Sequence, residues 1–134
     1  MTQSKYNNTI TLELPKPPSL NKIYAGKHWA VRKKYKDDYK AECIKALQSY
    51  DTFTAESFAF DIRYNSRLDI DNGILVSKFL ADTLVAEGIV EDDSPKYYKQ
   101  VKIRFDETLP KNTYIVDIHF KGFTYGNKEE LSEL

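Results

Sequence analysis

The chain has 134 residues, 20 basic and 20 acidic side chains, and a hydrophobic content of 41%. This length fits one domain of ordinary size, and no stretch approaches the ~18 consecutive apolar residues of a membrane span. The N-terminus contains no apolar signal-peptide core, and the single cysteine, Cys43, excludes a disulfide within the chain. We therefore expect one cytoplasmic domain over residues 1–134, with no membrane partner.

The charges are segregated along the chain although their sum is zero. Residues 21–40 carry seven basic and two acidic side chains, a net charge of +5. Residues 69–93 carry one basic and seven acidic side chains, a net charge of −6. A solvated face explains either run alone, whereas opposite blocks in one small domain favour a polyanion partner beside a cation site.

The first half of the chain alternates between strand and helix patterns. Residues 9–14 alternate apolar and polar side chains and predict a strand, which the proline-rich "PKPPSLNK" ends in a stiff loop. Residues 31–50 place apolar side chains at steps of three and four, which predicts an amphipathic helix with a basic opposite face. Residues 58–64 alternate again and predict a second strand.

The second half predicts one more helix and two more strands. Residues 72–87 are helical by propensity, and Gly88 is placed to end that helix. Residues 99–105 and 113–120 predict strands joined by "DETLPKN" as a hairpin loop, and about 122–134 form a polar C-terminal tail. The order β-α-β-α-β-β predicts an α+β domain of two layers, with two helices on one face of a mixed four-stranded sheet.

The second predicted helix is apolar in every direction. At 100° per residue, Phe79, Leu80, Leu84 and Ile74 are distributed all round its axis. Such a helix is usually buried on more than one side, and a sheet can cover only one. A second copy of the chain is the simplest cover for the rest, so we expect a homodimer.

Two acidic residues, Asp69 and Asp71, stand at the head of this helix. Capping of the first turn by Asp71 or Asn72 explains the presence of one acidic residue well, but it explains the presence of two less well. In an extended segment both carboxylates face the same way, and two anions ~5 Å apart repel by roughly 3 kcal/mol at an effective dielectric near 20. A bound Mg²⁺ removes that cost, so capping and metal binding both remain open.

Further acids follow the helix, and Asp92 and Asp93 are the candidates there. A solvated acidic turn accounts for them on its own. The same cation could also bind them together with Asp71. Within one chain, however, a helix over 72–88 is about 25 Å long, whereas the five residue steps from Gly88 to Asp93 span at most ~17 Å, so the loop hardly reaches back to Asp71. We therefore hypothesise a composite metal site in a two-fold dimer, with Asp69 and Asp71 from one subunit and Asp93, with or without Asp92, from the other.

Lys78 lies on the same side of the helical wheel as Asp71, with Asp82 four residues beyond. An intrahelical pair between Lys78 and Asp82 is worth a few tenths of a kcal/mol. The functional alternative is a cation beside a scissile phosphate or its leaving group. The sequence does not decide between them.

Several of these motifs together resemble the RusA family of phage-type Holliday-junction resolvases. They are "LDIDN" with Lys78 on the following helix, then "GIVEDDS", and before them "PPSLNKIY" with the basic "HWAVRKKYK". The similarity covers roughly residues 10–105. One departure is that Lys78 follows Asp71 by seven residues, whereas the family lysine commonly follows the second Asp by about one helical turn.

The resemblance implies a homodimeric endodeoxyribonuclease of DNA recombination and repair that uses Mg²⁺, with Mn²⁺ as a possible substitute, to nick four-way junctions in symmetric pairs. The family's catalytic carboxylates then fall on Asp69, Asp71 and Asp93, and its lysine on Lys78. The basic segment suits the phosphates of duplex arms, recognised by shape. The DNA-binding candidates are Asn21, Lys22, Lys27, Arg32, Lys33, Lys34 and Lys36.

Two other classes of function compete with this hypothesis. A catalytically silent protein that binds branched DNA would have little use for three carboxylates next to a polyanion. A metal-stabilised interaction module without nucleic acid would not need the basic segment. Salt-dependent binding to branched DNA separates the last class from the others, and metal-dependent cleavage separates the enzyme from the silent binder.

Overall fold

Six strands and two α-helices occur in the residues that the structure, a computed structural model, describes, which are 8–18, 29–68 and 70–126. At Trp29 and Asp71 the description covers the backbone only. The strands are β1 (Asn8–Pro15), β2 (Phe53–Thr54), β3 (Ser57–Asn65), β4 (Tyr98–Phe105), β5 (Thr113–Lys121) and β6 (Thr124–Tyr125). The helices are α1 (Trp29–Leu47) and α2 (Gly73–Ala86), and a 3-10 turn over Ile70–Asn72 leads into α2.

Four strands form one mixed sheet in the order β1-β5-β3-β4. β5 is antiparallel to both β1 and β3, and β4 is parallel to β3. The α+β domain with the chain order β-α-β-α-β-β and a mixed four-stranded sheet is therefore confirmed. The β3–α2–β4 unit explains the parallel pair, because a helical crossover returns the chain to the end of the sheet at which β3 began.

The predicted hairpin between residues 99–105 and 113–120 is wrong. β4 lies at the edge beside β3, and β5 lies between β1 and β3. Burial explains this order, because every second side chain of β5 is fully buried whereas β4 is exposed along most of its length. A strand with that much apolar surface is most stable with a neighbour on each side.

One face of the sheet is apolar and the other polar. The apolar side chains of β1, β3 and β5 alternate inward and join those of both helices in one core. On the outer face, the Thr11 hydroxyl donates to the Asp117 carboxylate at 2.7 Å. Both helices therefore cover the same face of the sheet, as expected from the sequence.

The all-round apolar character of α2 is satisfied mostly within the chain. Val76, Phe79, Leu80 and Leu84 are all fully buried, because α1 packs beside α2 and the buried Ile89 and Val90 join the same core. The second copy that the sequence suggested as the simplest cover is therefore not needed for most of this helix surface. Among the described side chains of α2, Ile74 is the exposed large hydrophobic, at 54%.

The C-terminal end of α2 has the geometry expected from the sequence. Gly88 has a φ of 74°, its N–H donates to the Val85 carbonyl, and the Ile89 N–H donates to the Leu84 carbonyl. This pair of hydrogen bonds is a Schellman motif, and the left-handed backbone is most easily adopted by glycine. The predicted end of the helix at Gly88 is confirmed.

A two-stranded ribbon adds to the main sheet. β2 pairs with β6, and the ring of Phe53 stacks on that of Phe123 at 4.6 Å between centroids. The polar tail predicted from about residue 122 therefore cannot begin there, because Thr124–Tyr125 is a paired strand, while 127–134 lie outside the described residues. Among the described helices, neither is long and apolar enough to cross a membrane.

Candidate functional site

The 3-10 turn before α2 carries the acidic motif. Asp71 lies in this turn, whereas Asp69 and the side chain of Asp71 lie outside the described structure. Asn72 is the N-cap residue, with helical φ and ψ of −71° and −21°, and it makes no side-chain capping hydrogen bond. Capping by Asn72 therefore does not explain the polar residues at this helix head.

Gly73 fixes the position of this turn against the sheet. It is buried, and a Cβ at residue 73 would lie 2.8 Å from Cγ2 of Ile103 on β4. A contact that close requires a residue without a side chain. The first turn of α2 therefore rests directly on the edge strand, and the Asp71 backbone is held two residues away.

Lys78 projects from α2 into solvent and makes no ion pair with any described residue. Asp82, its predicted partner four residues beyond, instead lies 3.7 Å from the ammonium of Lys40 on α1. The intrahelical pair between Lys78 and Asp82 is thus replaced by an interhelical pair. No described acidic side chain therefore neutralises the charge of Lys78.

Asp92 and Asp93 are both exposed in the segment after α2, but their surroundings differ. Hydrogen bonds from the Asp93 backbone N–H and from Ser94 lower the pKa of Asp92. This carboxylate is thus engaged in its own turn, which favours the solvated-turn interpretation for Asp92. The Asp93 side chain takes part in the same turn through the smallest of these hydrogen bonds.

The position of Asp93 changes the distance argument made from the sequence. Burial raises the pKa of Tyr98, and the Asp93 charge raises it further, so this carboxylate lies within electrostatic range of the Tyr98 hydroxyl. The same hydroxyl lies beside Ser77, only six residues beyond Asp71, or about 9 Å along a helix axis. The segment that carries Asp93 therefore folds back towards α2, and a single-chain site and the composite arrangement both stay predictions.

The predicted metal ligands are not seen together in the described part of the chain. No group of three His, Cys, Asp or Glu side chains within it could hold a metal ion. Asp69 and the Asp71 carboxylate lie outside that search, so a site built on them with Asp93 or Asp92 stays a prediction.

The described part of the basic segment lies on α1. Lys33 and Lys34 pair with Asp37 and Asp38 one helical turn later, at 2.6 Å and 3.1 Å. Such exposed pairs are weak and exchange readily for a polyanion. Arg32, Lys33 and Lys36 line a shallow depression of about 450 Å³ on this helix. Three further DNA-binding candidates, Asn21, Lys22 and Lys27, lie outside the described residues.

An exposed apolar patch was missed from the sequence. It consists of Ile70, Ile74, Val101 and Phe105, which are 48%, 54%, 40% and 55% exposed and surround the contact between the head of α2 and β4. The apolar alternation of Val101 and Phe105 with Ile103 was visible, but it indicated only a strand. That β4 is an uncovered edge strand is decided by the order of the sheet. We refer to these four residues as the apolar patch.

Comparison with known proteins adds no relative. No protein-family model matches the chain, and no curated protein matches it. The similarity to RusA resolvases therefore rests on the sequence motifs alone.

Proposed function

We propose that this protein is a Mg²⁺-dependent, structure-selective endodeoxyribonuclease that resolves four-way DNA junctions by paired symmetric nicks, as the resemblance to the RusA family implies. The observation that supports it best is the exposed Lys78, without an ion pair to a described residue, on the helix that directly follows the acidic turn. Neither core packing nor helix stability requires a lysine in that place.

The chemistry follows from the residue types. Asp69, Asp71 and Asp93 would hold Mg²⁺, which supplies a polarised phosphoryl oxygen and an activated water when bound. Lys78 would stabilise negative charge that develops on the phosphate or on the leaving oxygen. Asp92 would contribute less, because its carboxylate is engaged in the turn that it begins.

The basic face of α1 is proposed to bind the phosphates of the duplex arms. The helix carries six basic and three acidic side chains, and its local ion pairs are exposed. Contacts to phosphates position the protein without reading bases, which suits recognition of a junction by shape. Strong salt dependence of binding is the expected signature.

The apolar patch is proposed as the surface on which two copies pair. Apolar side chains clustered beside an unpaired strand edge are typical of interaction sites. A two-fold dimer would present two active sites, which matches a substrate that needs two symmetric cuts. It would also bring the acidic turn of one copy close to the partner, because Ile70 belongs both to that turn and to the patch.

The first experiment is cleavage of a labelled synthetic four-way junction with and without Mg²⁺, and with Mn²⁺. Wild-type protein should produce paired symmetric nicks that need the metal, and Asp71→Asn should reduce the rate by at least about 100-fold, the scale typical of a lost catalytic group. Asp51→Asn, which removes an exposed acid elsewhere, should cleave normally. Tight, salt-dependent binding without cleavage in either metal would instead indicate the catalytically silent branched-DNA-binding protein.

A mixing experiment distinguishes a composite site from a single-chain site. Asp71→Asn and Asp93→Asn chains are each inactive alone if both carboxylates are ligands. In mixed dimers a composite site leaves one intact active site, so statistical mixing should restore about a quarter of the sites, with single nicks in place of paired ones. No restored activity, with exchange of subunits verified, would assign both carboxylates to the same chain.

The dimer itself is tested through the apolar patch. Ile74→Glu should shift the protein to monomer in sedimentation and abolish paired nicking, because it places a charge at the centre of the interface. Tyr125→Glu, which changes a 64% exposed side chain on β6, is the matched control. A monomeric wild-type protein that cleaves in symmetric pairs would contradict this part of the proposal.

A further inference from the structure

A second concentration of positive charge lies at the opposite end of α2 from the acidic turn. Lys96, Lys99 and Lys121 line one open cavity of about 810 Å³, whose walls are the C-terminal turn of α2 and the neighbouring ends of β3, β4 and β5. All three side chains are exposed, and none makes an ion pair with a described residue. We refer to it as the lysine cavity.

Two glutamates, Glu56 and Glu91, also line the cavity beside its three lysines and leave it a net charge of +1. Glu91 accepts a hydrogen bond from the Tyr97 hydroxyl at 3.2 Å. The stem of Glu56 lies over Gly122, where an added Cβ would be 2.5 Å from the Glu56 Cγ. Each glutamate is thus held against a wall, while the Lys96 ammonium lies 5.3 Å from the centroid of the Tyr97 ring. A concave surface with an excess of cations concentrates anions from solution.

The ordinary explanation of such lysines is the helix dipole, because cations near the C-terminal end of a helix are stabilising. That explanation accounts for one or two exposed lysines, each of which stabilises the helix by a few tenths of a kcal/mol. It does not explain why Lys96 and Lys99, at the start of β4, share one cavity with Lys121 at the end of β5. Convergence of like charges without a bound anion is unfavourable.

We infer that the lysine cavity binds the backbone phosphates of a DNA arm, at a distance from the cleavage site. This inference rests on the proposed function. β3 leads from the cavity towards the acidic turn, and its nine residues span about 26 Å. At 3.4 Å per base step, that distance corresponds to roughly 8 base pairs from the scissile phosphate. The cavity therefore contacts long arms and not short ones.

The test compares wild-type protein with the triple variant Lys96→Gln, Lys99→Gln, Lys121→Gln. Binding is measured by fluorescence anisotropy in EDTA, with four-way junctions whose arms are about 6 or about 15 base pairs long. If each lysine contacts one phosphate, the triple variant should lose about 2.7 from the slope of log K against log salt on long arms, so that wild type loses about 40-fold more affinity than the variant between 50 and 200 mM salt. On short arms the two proteins should bind alike.

The control variant changes three exposed lysines outside the cavity, Lys16→Gln, Lys102→Gln and Lys111→Gln. It matches the triple variant in net charge and should keep most of the wild-type slope on long arms. Thermal melting checks that both variants are folded. Equal slopes for the two variants would overturn the inference, because only the overall charge would then matter.

Two further outcomes separate this inference from the proposed function. If wild type cleaves junctions and the triple variant binds long arms unchanged, the lysine cavity is not a DNA contact and the endonuclease proposal stands. If wild type does not bind junctions at all, both proposals fail. Calorimetric titration with thymidine monophosphate covers the remaining source of phosphate. Saturable binding that the triple variant loses, without any effect on DNA, would assign the cavity to a nucleotide and overturn the inference.

Discussion

Replacement of Gly73 by alanine tests how the acidic turn is held. The new Cβ would lie 2.8 Å from Cγ2 of Ile103, whereas ordinary van der Waals contact begins near 3.4 Å. The helix head or β4 must therefore move by about 0.6 Å or more, and this overpacking costs about 1–3 kcal/mol. Alanine recovers up to about 1 kcal/mol of helix propensity, so the net destabilisation should be about 0–3 kcal/mol.

A double-mutant cycle isolates the contact. Ile103→Ala removes Cγ2 and should itself destabilise the protein, while leaving space for a Cβ at residue 73. In that background Gly73→Ala should become neutral or stabilising, with a coupling energy of about 1–3 kcal/mol. The assay is urea unfolding followed by circular dichroism, with the m-value checked for constancy. Gly88→Ala is the matched control, because its Cβ meets no atom within 4 Å and its effect should be independent of Ile103.

Additivity of Gly73→Ala and Ile103→Ala within about 0.5 kcal/mol would refute the close approach of α2 to β4. Activity gives a second readout if the endonuclease proposal holds. A shift of the turn displaces Asp71, and a misplacement of about 1 Å can cost on the order of 100-fold in rate. Ile103→Ala should restore part of this loss in the double variant.

Three further predictions concern the surroundings of the site. Gly88→Ala should destabilise the protein by about 1–2 kcal/mol, because the backbone at residue 88 is left-handed, with a φ of 74°. Gly88→Asn should cost less, because asparagine adopts this backbone more easily than alanine does. Equal losses in the two variants would contradict the backbone explanation. The Tyr98 hydroxyl is buried without a hydrogen bond of good geometry. Tyr98→Phe should therefore leave the free energy of unfolding unchanged or raise it by up to about 1 kcal/mol. A clear loss of stability in urea unfolding would instead reveal a hydrogen bond to Ser77. Burial raises the pKa of the Cys43 thiol to about 12, so stability should fall as pH rises from 9 towards 12, the range in which only the unfolded thiol ionises. Below pH 9 this group should contribute no pH dependence, and an exposed thiol that reacts at once with a disulfide reagent at pH 8 would contradict the burial.

Local patterns in the sequence determined the four strands of the main sheet, the two helices and their order. The alternation in 58–64 and the helical spacing in 31–50 each depend on a period that neighbouring residues set among themselves. The end of α2 at Gly88 likewise depends on the conformational freedom of one residue. The two-layer arrangement follows because each element has one apolar side to bury. The motifs that suggest a resolvase are also local, since each is a short run of neighbouring residues, although together they cover roughly residues 10–105.

The neighbours of each element were decided by the tertiary structure alone. The sequence could not show that β4 is an edge strand paired in parallel with β3, because long-range pairing depends on which strands compete for the centre of the sheet. That order is what leaves Val101 and Phe105 exposed beside Ile74. In the same way, Asp82 pairs with Lys40 and not with Lys78. The reason is that packing of α1 against α2 brings the side chains of Asp82 and Lys40 together. The three lysines of the cavity come together because the start of β4 and the end of β5 meet at one end of the sheet, and no period in the sequence predicts that.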